Sequence, residues 1–163
     1  MAKFISAINK VLSALCIILS AFLVICVVWQ VFSRYVLNQP STYTDEIARF
    51  LFIWVGLIGA AYALGQKKHL AIDLLLMKLE SAPKKQNILN FCINFISLIF
   101  TVLIMCYGGG KLVLDTMNAG QISPVLGIQM GWVYFAIPLS GIFMLIYLIR
   151  DIFNELNLNI NKR

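Results

Sequence analysis

The sequence predicts an all-α integral membrane protein. It has four transmembrane helices, both termini in the cytoplasm, and an amphipathic interfacial helix between helices 2 and 3. Three observations carry this prediction. The 163 residues are 61% hydrophobic and only 12% charged, with a mean hydropathy of +0.87, well outside the range of soluble domains. The apolar residues gather in four long blocks, each of about 19–25 residues, enough to cross ~30 Å of hydrocarbon as a helix. The Lys and Arg residues gather in the connections and sort to one side.

The whole chain, 1–163, forms one membrane domain, with spans at about 11–35, 45–65, 87–107 and 132–150 and the interfacial helix at about 69–80. The first block, Val11 to Tyr35, follows Lys3 and Lys10 as a secretory leader would. Its apolar run is longer than a leader core and no small-residue cleavage site follows, so a retained helix is expected. It ends in "WQVFSRY", with Trp29 and Tyr35 suited to the interface and Gln30–Arg34 spaced i,i+4. "LNQPST" is a turn, with Pro40 as breaker and Thr42 or Thr44 as N-cap.

The connection after the second block is the odd one. "HLAIDLLLMKLE", residues 69–80, is too short to span. His69, Asp73 and Glu80 share one helical face, while Leu70, Leu74, Leu75 and Met77 supply apolar surface, as in a helix lying along a leaflet. The competing reading is a cytoplasmic extension of the second helix with a satisfied His–Asp pair. The segment from Gly108 to Gly131 reads as a long, Gly-rich connection that rests on the membrane or on a partner. The fourth block carries Pro138 between Ala136 and Ser140, an expected kink.

Orientation follows from the flanks. Lys3, Lys10, Lys67, Lys68, Lys78, Lys84, Lys85, Arg150, Lys162 and Arg163 fall on one side; Arg34, Arg49 and Lys111 fall on the other. Ten against three places both termini in the cytoplasm. The net charge of +6 is therefore a topology signal, and nucleic acid is not an expected partner.

Chemistry at membrane depth needs ionisable groups there, and none lies near the middle of a block. The deepest, Arg34 and Arg49, lie within about two turns of an end and can snorkel. Cys16, Cys26, Cys92 and Cys106 form no C-x-x-C pair, and there is one histidine, so a metal cluster or doubly ligated haem is not supported. No nucleophile–base set or phosphate loop is present, and no enzyme activity or cofactor is expected.

What the residues offer is contact surface. Taken at 100° per residue, Asp45, Arg49, Phe52, Gly56, Gly59, Ala60 and Ala63 fall within about 60° of one line on the second helix, and Trp54 lies opposite, as a lipid-facing residue would. Small residues in such a stripe let a partner helix approach closely. Asp45, Glu46 and Arg49 at its mouth are either helix-end charges or the outer end of that contact face. A second polar stripe joins Asn87, Asn90, Asn94, Ser97 and Thr101 on the third helix, suited to a partner or to internal packing.

In order and spacing, "RYVLNQPSTYTDEIARFLFIWVGLIGAAYALGQKKHLAIDLL" resembles the signature of the small membrane subunit of TRAP transporters, the DctQ family. Arg34-Tyr35 closes the first helix, Asp45-Glu46 supplies the acidic pair, and Phe50–Trp54 the aromatic run. Gly59-Ala60, Lys67-Lys68 and His69…Asp73 complete it. "SPVLGIQMGWVYFAIPLSG" resembles the family's passage into its last helix, and Tyr43 departs from an expected Trp.

The resemblance implies an accessory subunit of a sodium-coupled importer of organic acids such as sialic acid or a C4-dicarboxylate. Its partners would be a large membrane subunit, a periplasmic binding protein and membrane lipids. Substrate and sodium sites would belong to the large subunit. Partner-contact candidates are Arg34, Asp45, Glu46, Arg49, Gly56, Gly59, Ala60 and Asn94; interfacial-helix candidates are His69 and Asp73. The alternative is a self-contained four-helix transporter acting as an oligomer, which would need an intramembrane carboxylate that the first helix lacks.

Overall fold

The structure, a computed structural model, describes residues 2–66 and 83–160. Every regular element among them is helical, and four helices are long and apolar enough to cross a membrane. Helix α1 runs Ala2–Tyr35. A short turn follows, with Asn38 in the left-handed region at φ 53°, where Asn is tolerated better than most residues. The buried Ser33 organises it: Gln39 N–H donates to the Ser33 carbonyl at 3.1 Å and Ser41 N–H to the Ser33 hydroxyl at 3.3 Å.

Helix α2 is Thr42–Gly65. Its N-cap is Ser41, with extended backbone, and not Thr42 or Thr44; the Thr44 hydroxyl instead donates to the Ser41 carbonyl. The predicted interfacial helix, with His69 and Asp73, lies outside the described residues.

The third span differs most from expectation. Helix α3, Pro83–Phe100, passes into a π-helical stretch, Thr101–Gly108, and then into α4, Gly109–Asn118. The expected Gly-rich loop therefore begins eleven residues late, and Gly108–Gly110 lie inside a continuous helix. The Thr101 hydroxyl donates to the Ser97 carbonyl at 2.7 Å, competing for the carbonyl that its own α-helical N–H would use. Glycine at this point admits a close approach: a Cβ on Gly109 would sit 2.6 Å from Ile137 Cγ2. Lys111, expected in the loop, stands instead on α4 within the third span, exposed and able to snorkel.

The fourth span is a short α5, Met130–Tyr134, and a long α6, Ala136–Ile160. They break at Phe135 because Pro138 has no N–H for the Tyr134 carbonyl, the kink that the sequence predicts.

The spans lie in a row. Helix α1 packs along α2, α2 along α6, and α6 along the π stretch and α3. Two ends can be told apart by their contacts. At one, Tyr147 Oη donates to Asn9 Oδ1 at 2.5 Å, and Arg150 reaches the Gly65 carbonyl at 3.4 Å. At the other, Glu46 meets the 119–129 loop. The early turns of α1 and the late turns of α6 therefore share an end. The small core is Leu12, Ile58 and Tyr147, with Ile5, Ile8, Cys16, Leu19, Trp54, Tyr62 and Phe143 packed against it.

Candidate partner-contact face

Helix α2 presents two faces. One carries Ile58, Ala61 and Gly65, all buried against α1 and α6. Tyr147 lies flat on Gly65, its ring Cε1 and Cε2 2.7 and 2.6 Å from where a Cβ would stand. The other carries Arg49, Phe52, Gly56 and Ala60, all exposed, with Gly59 half-buried beside them. A Cβ placed on Gly56 or Gly59 would meet nothing within 4 Å. Among the described residues the small-residue stripe is thus not consumed by the chain's own packing.

Trp54 corrects the sequence expectation. It was expected toward lipid; it packs instead against the Leu12–Ile58–Tyr147 core. The projection separates the faces correctly but cannot tell which turns inward. In lipid an inward face need not be more apolar than an outward one.

The three charges at the mouth of α2 divide between two roles. Asp45 Oδ2 and Arg49 Nη2 form an i,i+4 pair at 2.7 Å, with the Arg49 side chain exposed and the Asp45 side chain half-buried. Such a pair stabilises a helix by about 0.3–0.5 kcal/mol, so its geometry leaves both groups available. Glu46, one residue and ~100° further round, is only 8% exposed. Its Oε2 accepts the Leu126 N–H at 2.7 Å and the Val125 N–H at 3.2 Å. The Glu46 carboxylate is thus engaged inside the chain, where two backbone donors of the loop converge on it. Arg34, at the end of α1, is exposed.

The polar stripe of the third helix turns partly inward. Thr101 is buried, Ser97 and Asn94 are half-buried, and Asn94 is engaged in an interaction of its own. The side chains of Asn87 and Asn90 are not described. What sequence reasoning missed is the lock at the termini end: Asn9, Gly65, Tyr147, Arg150 and Asp151. Arg150 lies 5.4 Å from the Tyr147 ring centre and pairs with Asp151 at 2.7 Å. The signal was present as a lone Asn on α1 and a Tyr–Arg–Asp cluster at the end of α6, but nothing in the sequence joins elements 138 residues apart.

Comparison with known proteins places the chain in a family. The model of the DctQ component of tripartite ATP-independent periplasmic transporters matches residues 23–158. The chain belongs to the DctQ family. A chain of Haemophilus influenzae, provisionally named a TRAP transporter small permease protein, is 34% identical over 149 residues, covering 91% of this chain and 89% of that one. The sialic acid TRAP transporter small permease protein SiaQ of Vibrio cholerae is 28% identical, covering 93% and 84%. The sialic acid TRAP transporter permease protein SiaT of Haemophilus influenzae is 28% identical over 121 residues, which cover 74% of this chain but only 19% of SiaT. A DctQ-like module there is one part of a much longer permease. A DctQ-family chain is a membrane subunit of a transporter and not an enzyme.

Proposed function

We propose that this chain is the scaffold subunit of a sodium-coupled, binding-protein-dependent importer of an organic acid such as sialic acid or a C4-dicarboxylate. It holds a large membrane subunit in the bacterial inner membrane, with both termini cytoplasmic. Substrate and sodium bind in the large subunit, and this chain needs no cofactor. The observation that carries the reading is the outward stripe Phe52–Gly56–Ala60, whose glycine leaves open space where a partner's backbone can approach. The fused arrangement of SiaT supports a large permease as the partner.

Two outcomes test the reading. The chain, expressed with its neighbouring membrane subunit, should co-purify with it, and the isolated chain in proteoliposomes should take up no organic acid under an inward sodium gradient. Uptake by the isolated chain would establish a self-contained transporter instead.

The exposed Asp45–Arg49 pair is the outer docking point for the periplasmic binding protein. Exchanging the charges, with Asp45→Arg and Arg49→Glu together, keeps the i,i+4 pair and so keeps the helix. It inverts the local field, which sets association rates by tenfold or more. The expected result is an approximately tenfold lower rate of binding-protein-driven uptake with the large subunit still bound. Unchanged uptake refutes docking at this pair; loss of the large subunit would make it an interhelical contact.

A further inference from the structure

We infer that the 119–129 loop is a lipid-seated element, lying in the headgroup layer of the membrane with its apolar tip turned toward acyl chains, and that Glu46 seals it there. Four independent observations lead to this.

The first is depth. Lys10 on α1 and Arg150 on α6 mark the edge of the hydrocarbon at the termini end, beside Asn9, Gly65 and Tyr147. From Tyr147 back to Met130 the fourth span climbs about 26 Å, and from Gly65 back to Glu46 α2 climbs about 28 Å. The hydrocarbon layer is ~30 Å thick. The loop, which joins Asn118 to Met130 and touches Glu46, therefore lies level with the opposite membrane boundary and does not project beyond it.

The second is charge. Between Asp115 and Arg150 the chain carries no charged residue. A connection standing in water has no reason to be free of charge across its whole length, and one in contact with lipid has.

The third is backbone economy. Within the loop, Ser123 N–H donates to the Ile128 carbonyl at 2.8 Å, Ile128 N–H to the Ser123 hydroxyl at 3.2 Å, and Gly127 N–H to the Ser123 carbonyl at 3.1 Å. Gln121 N–H and Met130 N–H close its base on Thr116 and Gln121. Pro124 has no N–H to satisfy, and the next two donors, on Val125 and Leu126, go to the Glu46 carboxylate. Irregular backbone near lipid must satisfy its donors internally, and the donors at the tip of this loop are met by a side chain from another helix.

The fourth is surface. Ile122 and Ile128 are exposed, and Trp132 just below them is 59% exposed, an aromatic at the level where such side chains anchor membrane proteins.

Spin labels at Ile122 and Ile128, in the full-length chain with its four cysteines replaced, test this in nanodiscs of phosphatidylethanolamine and phosphatidylglycerol. Oxygen collisions should exceed collisions with a water-soluble nickel chelate, as at Phe22 on the exposed side of α1, and the order should reverse at Val36 beyond the end of α1. Dominant nickel collisions would show a loop in water, and suppression of both probes would show a loop covered by protein; either overturns the proposal. Glu46→Ala should raise nickel access at both labels, whereas Glu46→Gln, which keeps an acceptor oxygen, should hold the parent pattern. If Glu46→Ala leaves the collisions unchanged, Glu46 is not the seal.

Discussion

Gly56→Leu is expected to abolish co-purification of the large membrane subunit while the chain itself stays folded. Among the described residues a Cβ at Gly56 meets nothing within 4 Å, so a leucine there disturbs no contact with them. Replacing a helical glycine also favours the helix, by about 0.8 kcal/mol. The penalty falls on whatever approaches the stripe from outside. Overpacking an interface costs about 1–3 kcal/mol, and each 1.4 kcal/mol is tenfold in affinity. The complex should weaken roughly tenfold to a hundredfold, with Gly56→Ala intermediate. The readout is the amount of large subunit retained on the tagged chain, with unchanged helical content and melting of the chain alone as control. Full retention and normal uptake would mean that the stripe faces lipid and that the large subunit binds elsewhere on the row.

Gly65→Leu is expected to act in the opposite way, destabilising the chain itself before any partner is involved. Gly65 is nine residues from Gly56 in the sequence, half a turn round the same helix at ~100° per residue. Its missing Cβ is what lets the Tyr147 ring lie on the α2 backbone. Leucine forces the ring away, and with it go the Tyr147–Asn9 hydrogen bond and the Arg150 contact with the ring face. The hydrogen bond contributes about 1 kcal/mol and the overpacking costs about 1–3 kcal/mol, so melting should fall by several degrees and yield should drop. Tyr147→Ala is costly alone, but combined with Gly65→Leu it removes the clash. The double variant should be less destabilised than the sum of the singles. Simple additivity would show that the ring is not what Gly65 accommodates.

These two glycines show where sequence reasoning ends. The helical projection of α2 groups Phe52, Gly56 and Ala60 on one side and sets Trp54 on the other, and the structure keeps that grouping. It reverses the expectation for Trp54, because a soluble helix announces its inner face by apolarity and a membrane helix does not. The charged mouth was legible as three charges at a helix start. Its division was not: Glu46 looks like its neighbour Asp45 until a loop 80 residues later in the chain brings its donors to one carboxylate and leaves the other paired to Arg49. The third span was legible as an apolar block but ended too early, since Gly108–Gly110 read as a loop. Glycine marks loops in water, but here the close packing of Gly109 on Ile137 holds it in a helix.

The sequence by itself determined that this is a membrane protein of four spans and that it resembles the DctQ family. Apolar block length against bilayer thickness answers the first. The second rests on the ordered run from Arg34-Tyr35 through Asp45-Glu46 to His69…Asp73. Only the tertiary structure decided which face of α2 is left free among the described residues, that Tyr147 locks three helices on Asn9 and Gly65, and that Glu46 holds a loop. These are pairings between distant segments, and in a solvent as apolar as the side chains themselves no local pattern of polarity records them; they are settled by close packing and by where backbone donors find acceptors.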